Sequence, residues 1–263
     1  MRPYLAILTA RIRMLLQYRA AAFAGLVTQL FWGWIKVMVF AAFYAATGAP
    51  QPMSLQDTIT YIWLGQALLL LLPFRIDAEL QSMVRDGSVA YELTRPADLY
   101  WYWFSRQFAA RLAPLALRAW PQLLLAGLFF GMELPVGWAP LLLFLLSLGC
   151  ALLLSSAITT LMAISLLWTM TGDGLSRLLS LVSQFLSGSY VPILLFPAWA
   201  QPALAILPFR GLMDTPFQLY MGLLNGPAAW MAIAHQLLWT ALFVLIGRAI
   251  LARGVGRLVV QGG

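Results

Sequence analysis

Residues 134–172 read LPVGWAPLLLFLLSLGCALLLSSAITTLMAISLLWTMTG, thirty-nine positions without one Asp, Glu, Lys or Arg. As a straight α-helix this stretch would run roughly 58 Å at 1.5 Å per residue. Crossing the hydrocarbon core of a bilayer takes only about 20 residues. The segment is therefore either one long tilted helix with an interfacial lead-in before Pro140, or a hairpin. Its middle offers Ser155-Ser156 and no Gly/Pro turn, so a single span over 140–168 is the expectation. The whole chain agrees with this segment. Of its 263 residues 62% are hydrophobic and 10% charged, with a mean hydropathy of +0.84. A soluble domain spends about a quarter of its residues on charge, so a water-soluble enzyme is excluded. The chain reads as an all-α polytopic membrane protein.

Working outward, six spans are expected. The first covers about 21–46, interrupted only by Lys36 and ended by Thr47-Gly48-Ala49-Pro50-Gln51-Pro52. The second covers about 58–74, and the third about 113–132, with Pro114, Arg118 and Pro121 in its first turns. After the long fourth segment come a fifth span at about 176–192 and a sixth at about 228–247. Between them Pro192, Pro197, Pro202 and Pro208 follow one another too closely for a single membrane helix. Non-helical backbone at membrane depth must be buried in protein or line a cavity. A broken, re-entrant hairpin is expected, within an outer region covering 192–227. Residues 2–19 place Leu5, Leu8, Ile12, Leu15 and Leu16 on one stripe and read as an interfacial amphipathic helix. No removable leader is expected there.

The charges give this arrangement an orientation. With the N-terminus cytoplasmic, fourteen arginines fall on inside segments and only Arg210 falls outside, while Lys36 lies within a span. Such an asymmetry places both termini in the cytoplasm. The net charge of +7 therefore reports topology, and the basic residues form no patch with interleaved aromatics that would suit nucleic acid.

Catalytic chemistry finds no footing. There is no GxxxxGK[ST] to cradle ATP phosphates, and no cluster of metal-ligating or nucleophilic residues in the spans. One cysteine, Cys150, and one histidine, His235, cannot build a Cys or His site. Cys150 reads as a small packing residue. Lys36 and His235 are the candidates for a substrate pathway, against the plainer reading that each only packs or pairs within the helix layer. An ion-coupled carrier usually keeps acids or histidines in its spans, so a secondary carrier is the weaker alternative, together with a non-transporting assembly or scaffold protein.

The informative polar stretch is 75–111, which holds ten of the twenty-five charges. Ile76, Leu80, Met83 and Val84 repeat at helical spacing, with Asp77, Glu79, Arg85 and Asp86 largely elsewhere. Gly87 suits a C-cap, and Asp98 can cap a further helix. The run Tyr100-Trp101-Tyr102-Trp103-Phe104 suits headgroup level. A loop with helices of its own is more than a connector requires.

These elements resemble, in order and placement, the membrane subunit of a type-2 ABC exporter. The resemblance rests on Arg85-Asp86-Gly87, Tyr91-Glu92-Leu93 and Arg95-Pro96 after the second span. It rests also on Ser187-Gly188-Ser189-Tyr190-Val191-Pro192, Phe196-Pro197-Ala198-Trp199 and Leu207-Pro208-Phe209 before the last span. It covers essentially the whole chain as one domain. It implies a permease that pairs with a second permease copy or a related permease, and that docks two ABC ATPase subunits, which would bind the ATP and Mg²⁺. It implies ATPase coupling through Glu79, Met83, Arg85, Asp86, Gly87, Tyr91, Glu92, Arg95 and Pro96. It implies an extracytoplasmic gate at Ser187, Gly188, Tyr190, Pro192, Phe196 and Pro197. The location implied is a bacterial inner membrane.

Overall fold

One unbroken helix, α7, runs from Trp138 to Thr169 through the uncharged segment. With no charge, proline turn or glycine pair in its interior, nothing offers the backbone a better partner than its own i−4 carbonyls. The hairpin alternative is therefore absent. The computed structural model describes residues 2–15, 17, 19–48, 50–94, 97–169 and 173–255, and among these every regular element is helical.

Around α7 the chain alternates direction. Helix α1 (Arg2–Leu15) leads into α2 (Arg19–Ala46), and α3 (Leu55–Ala67) returns, extended by a 3-10 turn at Leu69–Leu71. Two short helices follow, α4 (Ala78–Arg85) and α5 (Ala90–Leu93), then the long α6 (Leu99–Phe129). After α7 come α8 (Asp173–Leu186), α9 (Gln201–Ile206), α10 (Asp214–Tyr220) and the last long helix, α11 (Gly226–Val255). Side chains identify which ends lie together. At one end Gln56 Nε2 donates to the Gly131 carbonyl at 2.5 Å, and Tyr220 Oη donates to the Glu133 carbonyl at 3.0 Å. At the other, the Asp98 amide donates to Tyr4 Oη at 2.9 Å, and Arg248 pairs with Asp98 at 3.5 Å.

Four of these helices are long and apolar enough to cross a bilayer: 23–46 within α2, α6, α7 and α11. The second and fifth expected spans are shorter. α3 holds 13 residues before it tightens into the 3-10 turn, and α8 holds 14. α8 stops where Gly188 takes φ +86°. α6 is longer than expected, because Asp98 caps it by accepting the Trp101 amide at 3.0 Å, well before the apolar run begins. Both prolines stay inside it. The helical faces point apolar groups outward: Phe23, Phe31 and Val39 on α2, Leu128 on α6 and Leu238 on α11 are largely exposed. That is the pattern of a protein whose outer solvent is lipid.

The aromatic run departs from expectation. Tyr100, Tyr102, Trp103 and Phe104 are buried, leaving Trp101 outside. They pack with Leu80, Val84, Val89 and Leu251 in a core cluster at the Asp98 end. α1 also turns differently: Tyr4 and Ile7 pack inward, while Leu5, on the expected stripe, is 60% exposed. Leu8 and Ile12 of that stripe are half-buried.

The main core gathers α3, α6, α7 and α10 around Trp63, which is fully buried. α2 reaches that core only because Gly33 lets it in: a Cβ on Gly33 would stand 2.4 Å from the Trp63 ring. Small residues set how close two membrane helices approach. We expect Gly33→Val to destabilise the fold by about 1–3 kcal/mol. Gly149→Val, at a helical glycine with no atom within 4 Å of its would-be Cβ, should leave the thermal midpoint unchanged.

Candidate functional site

Two polar clusters stand out, one at each end of the helix layer. The cluster at the Asp98 end is built on Arg106 of α6, whose side chain is 2% exposed. Its guanidinium pairs with Asp77 at 2.8 Å, Glu79 at 3.1 Å and Glu92 at 3.4 Å. Arg11 of α1 also pairs with Glu79. Trp103 Nε1 donates to the remaining Glu92 oxygen at 2.6 Å. Asp77 serves twice: one oxygen caps α4 by accepting the Glu79 amide at 3.0 Å, and the other accepts from Arg106. Burial would push the Asp77 carboxyl up, but Arg106 beside it holds it below its ordinary value of 3.8. Asp86, on the rim, is lowered by two hydrogen bonds from Ser88.

This cluster splits the expected coupling residues into two faces. Glu92 is buried and belongs to the inner face, with Leu80 and Val84. Glu79, half-exposed, bridges the two arginines. Arg85, Asp86, Gly87 and Tyr91 form the outer face, with Tyr91 76% exposed, while Met83 is half-buried and packs against the core cluster. Gly87 follows the end of α4 at φ +77° and turns the chain toward α5, with the Val89 amide donating to the Met83 carbonyl at 2.9 Å. Arg95 and Pro96 lie outside the described residues.

The cluster at the opposite end brings Lys36 to residues of the expected gate. Lys36 Nζ donates to the Ser189 carbonyl at 3.0 Å and stands 5.5 Å from the Tyr190 ring centroid. The adjoining turn is pinned by Asp214 at the start of α10. Its Oδ1 accepts from Tyr61 Oη at 3.1 Å and from the Ile193 amide at 3.4 Å. Its Oδ2 accepts from Gln218 at 2.7 Å, and its own amide donates to the Ser187 carbonyl at 3.2 Å. Gly188 packs where no Cβ fits, since one would lie 2.1 Å from Tyr61 Oη. Ser187, Gly188 and Pro192 are buried, Tyr190 and Pro197 are exposed, and Phe196 is intermediate. From Ser187 to Asn225 the chain is a series of short helices and turns. His235 is not part of this cluster. Its Nε2 lies 2.9 Å from the Ile206 carbonyl and 3.0 Å from Trp239 Nε1, fastening α11 to the end of α9.

Sequence reasoning missed Arg106, Asp77, Tyr61 and Asp214 as organisers. The readable signal was Asp214 itself, the acid four positions after Arg210 in an otherwise apolar, proline-broken stretch. Among the described residues no group of three His, Cys, Asp or Glu side chains is placed to hold a metal.

The Arg106 clamp is the testable part of this geometry. Removing one member of a buried ion cluster typically costs about 3–5 kcal/mol, because the rest is left buried and uncompensated. Arg106→Gln should therefore raise hydrogen exchange across 78–93 while leaving α7 and α11 protected. Because the Asp77 carboxyl is lower in the folded chain, its contribution is complete above its unfolded value and is lost as pH falls through the folded one. Wild-type exchange at 78–93 should rise below about pH 4, and Arg106→Gln should lose that dependence.

The family comparison fits this arrangement of long apolar helices around a clamped loop. The profile described as "ABC-2 family transporter protein" matches residues 14–262. No curated protein matched the sequence. Membership supports a membrane permease of an ABC transporter, and with it ABC ATPase partners in general. The chain belongs to the ABC-2 family of transporter proteins.

Proposed function

We propose that this chain is the permease subunit of an ATP-driven ABC exporter, working as a dimer with a second permease and coupled through 78–91 to two separate ATPase subunits. One observation carries the reading. The loop is rigidly seated on its inner face by Arg106, Glu92 and Trp103, yet presents Arg85, Asp86, Gly87 and Tyr91 to solvent. A segment that only connects two spans needs no buried ion cluster to hold its aim. A segment that transmits force does. ATP and Mg²⁺ belong to the partner subunits in this reading. Glu79 and Glu92 support the loop, and the exposed residues are the docking groups.

In the same reading α3 with its 3-10 turn and α8 complete six passes, as the alternating directions of the helices support. The basic asymmetry supports cytoplasmic termini, the family resemblance supports a bacterial inner membrane, and in this reading the broken segment 187–225 is the extracytoplasmic gate. Lys36 ties the first span to that gate through the Ser189 carbonyl.

Gly87 isolates the coupling claim. No atom lies within 4 Å of where its Cβ would be, so Gly87→Val acts on backbone conformation alone. A β-branched residue at positive φ is strained by about 1–2 kcal/mol. In the reconstituted complex, Gly87→Val should preserve insertion and permease pairing but lower ATPase co-purification or transport per ATP hydrolysed. Wild-type values in both assays would return the loop to a connector.

Topology is tested separately. In a Cys150→Ser background, single cysteines at Ser54 and Gly137 should react with an impermeant thiol reagent from outside. Cysteines at Ser88, Gly174 and Gln261 should not. A reactive position 261 would mean an odd number of passes.

A further inference from the structure

A cavity of about 300 Å³ lies between α1, the stretch 70–77 and the first half of α6. Its wall has two kinds of chemistry. Leu70, Leu72 and Phe74 supply an apolar side, and Arg75, Gln107 and Arg111 a cationic and donor-rich one. That volume sits at the small end of ligand pockets, which run about 300–1,000 Å³. It suits a headgroup with its chain leading out along the apolar side.

The charges on this wall are unequally matched. Arg106 and Arg11, which also line it, are taken by Asp77, Glu79 and Glu92. Asp77 lines the cavity too, with one carboxylate oxygen given to Arg106 and the other to the start of α4. Among the described residues Arg75 and Arg111 have no carboxylate partner. Arg111 is 6% exposed, and its neutral partners are Ser155 Oγ at 2.6 Å, the Gln107 carbonyl at 2.9 Å and Thr159 Oγ1. A guanidinium carries five N–H donors, so two remain. Gln107 is 2% exposed, and its amide nitrogen is buried with no acceptor. Burying a charge without a counter-ion and a donor without an acceptor is costly unless something fills both needs. A single anionic group in this cavity would do so.

We infer that this cavity binds the anionic headgroup of an inner-leaflet amphiphile, held by Arg75 at the mouth, Arg111 at the floor and the Gln107 amide between them. The assignment to the inner leaflet rests on the orientation proposed above; the chemistry of the site does not. Arg75 stands two residues before Asp77, the cap of α4, and Arg111 lies five residues after Arg106 on α6. The ligand would thus bridge the root of the coupling loop to the helix that holds it.

Binding is tested on the purified full-length chain in uncharged detergent, without ATPase, by the shift in thermal midpoint on titration. The probes are dihexanoyl phosphatidylglycerol, dihexanoyl phosphatidylcholine and inorganic phosphate. Phosphatidylglycerol should stabilise the chain saturably, and the other two should not. Arg75→Gln, a solvent-facing change that spares the core, should weaken phosphatidylglycerol binding about tenfold, the scale of one charge-assisted hydrogen bond. Arg75→Lys should lose less, Arg111→Gln at least as much as Arg75→Gln, and Arg177→Gln, on exposed α8, nothing. Equal stabilisation by phosphatidylcholine, or wild-type affinity in Arg75→Gln, would overturn the site. Equal stabilisation by inorganic phosphate would overturn the amphiphile. Because neither transport nor topology enters this measurement, it fails or succeeds independently of the exporter reading.

Discussion

Arg106 holds together what the sequence separates. Its guanidinium collects carboxylates from positions 77, 79 and 92 near the N-terminal end of α6. Taken out of water alone, such a charge would cost several kcal/mol. Three acids and the indole N–H of Trp103 on Glu92 repay that cost and fix the loop's orientation in doing so. Arg11 adds α1 to the same group through Glu79. The outer face of α4 and α5 can then be exposed and still be rigid. Everything proposed for this protein as a machine depends on that combination.

The opposite end of the helix layer uses the same device with different chemistry. Asp214, fully buried, accepts from Tyr61, Gln218 and the Ile193 amide while its own amide donates to the Ser187 carbonyl, and it ties α3 and α10 to the turn after α8. Gly188 admits the tyrosine hydroxyl where any other residue would put a methyl group. Lys36 then attaches α2 to the next residue along. Between the two pins the long helices meet through apolar surface and a few buried polar contacts, Arg111 with Ser155 and Thr159 and Gln236 with Ser147. That division suits a permease, whose helices must shift while its ends stay in register.

Local patterns were legible in the sequence, and distant pairings were not. The Leu80/Val84 stripe, the Gly87 turn, the Asp98 cap and the unbroken α7 all follow from residues within one or two turns of each other. Helical period and capping chemistry act over that distance. Arg106 read only as one more inside charge, because nothing in the spacing from 77 to 106 says that these groups meet. The aromatic run at 100–104 suited a headgroup belt by composition. Its burial became visible only once α4, α5 and α11 were seen to cover it. Asp214 passed unweighed because the prolines around it drew the reading to a broken, re-entrant backbone and away from its side chains. On α1 periodicity cannot say which residues meet the rest of the chain: Tyr4, Ile7 and Arg11 do, while Leu5 of the expected stripe stays exposed.

The central claim is that the loop has a seated face and a docking face, and that the docking face meets an ABC ATPase. A photo-crosslinking residue placed at Tyr91, 76% exposed, and separately at Val89, fully buried, tests it in the native membrane. The account predicts a crosslink to an ABC ATPase subunit from position 91 and none from position 89. An ATPase that co-purifies with the permease yet never crosslinks from position 91, or that crosslinks equally from both, would contradict it.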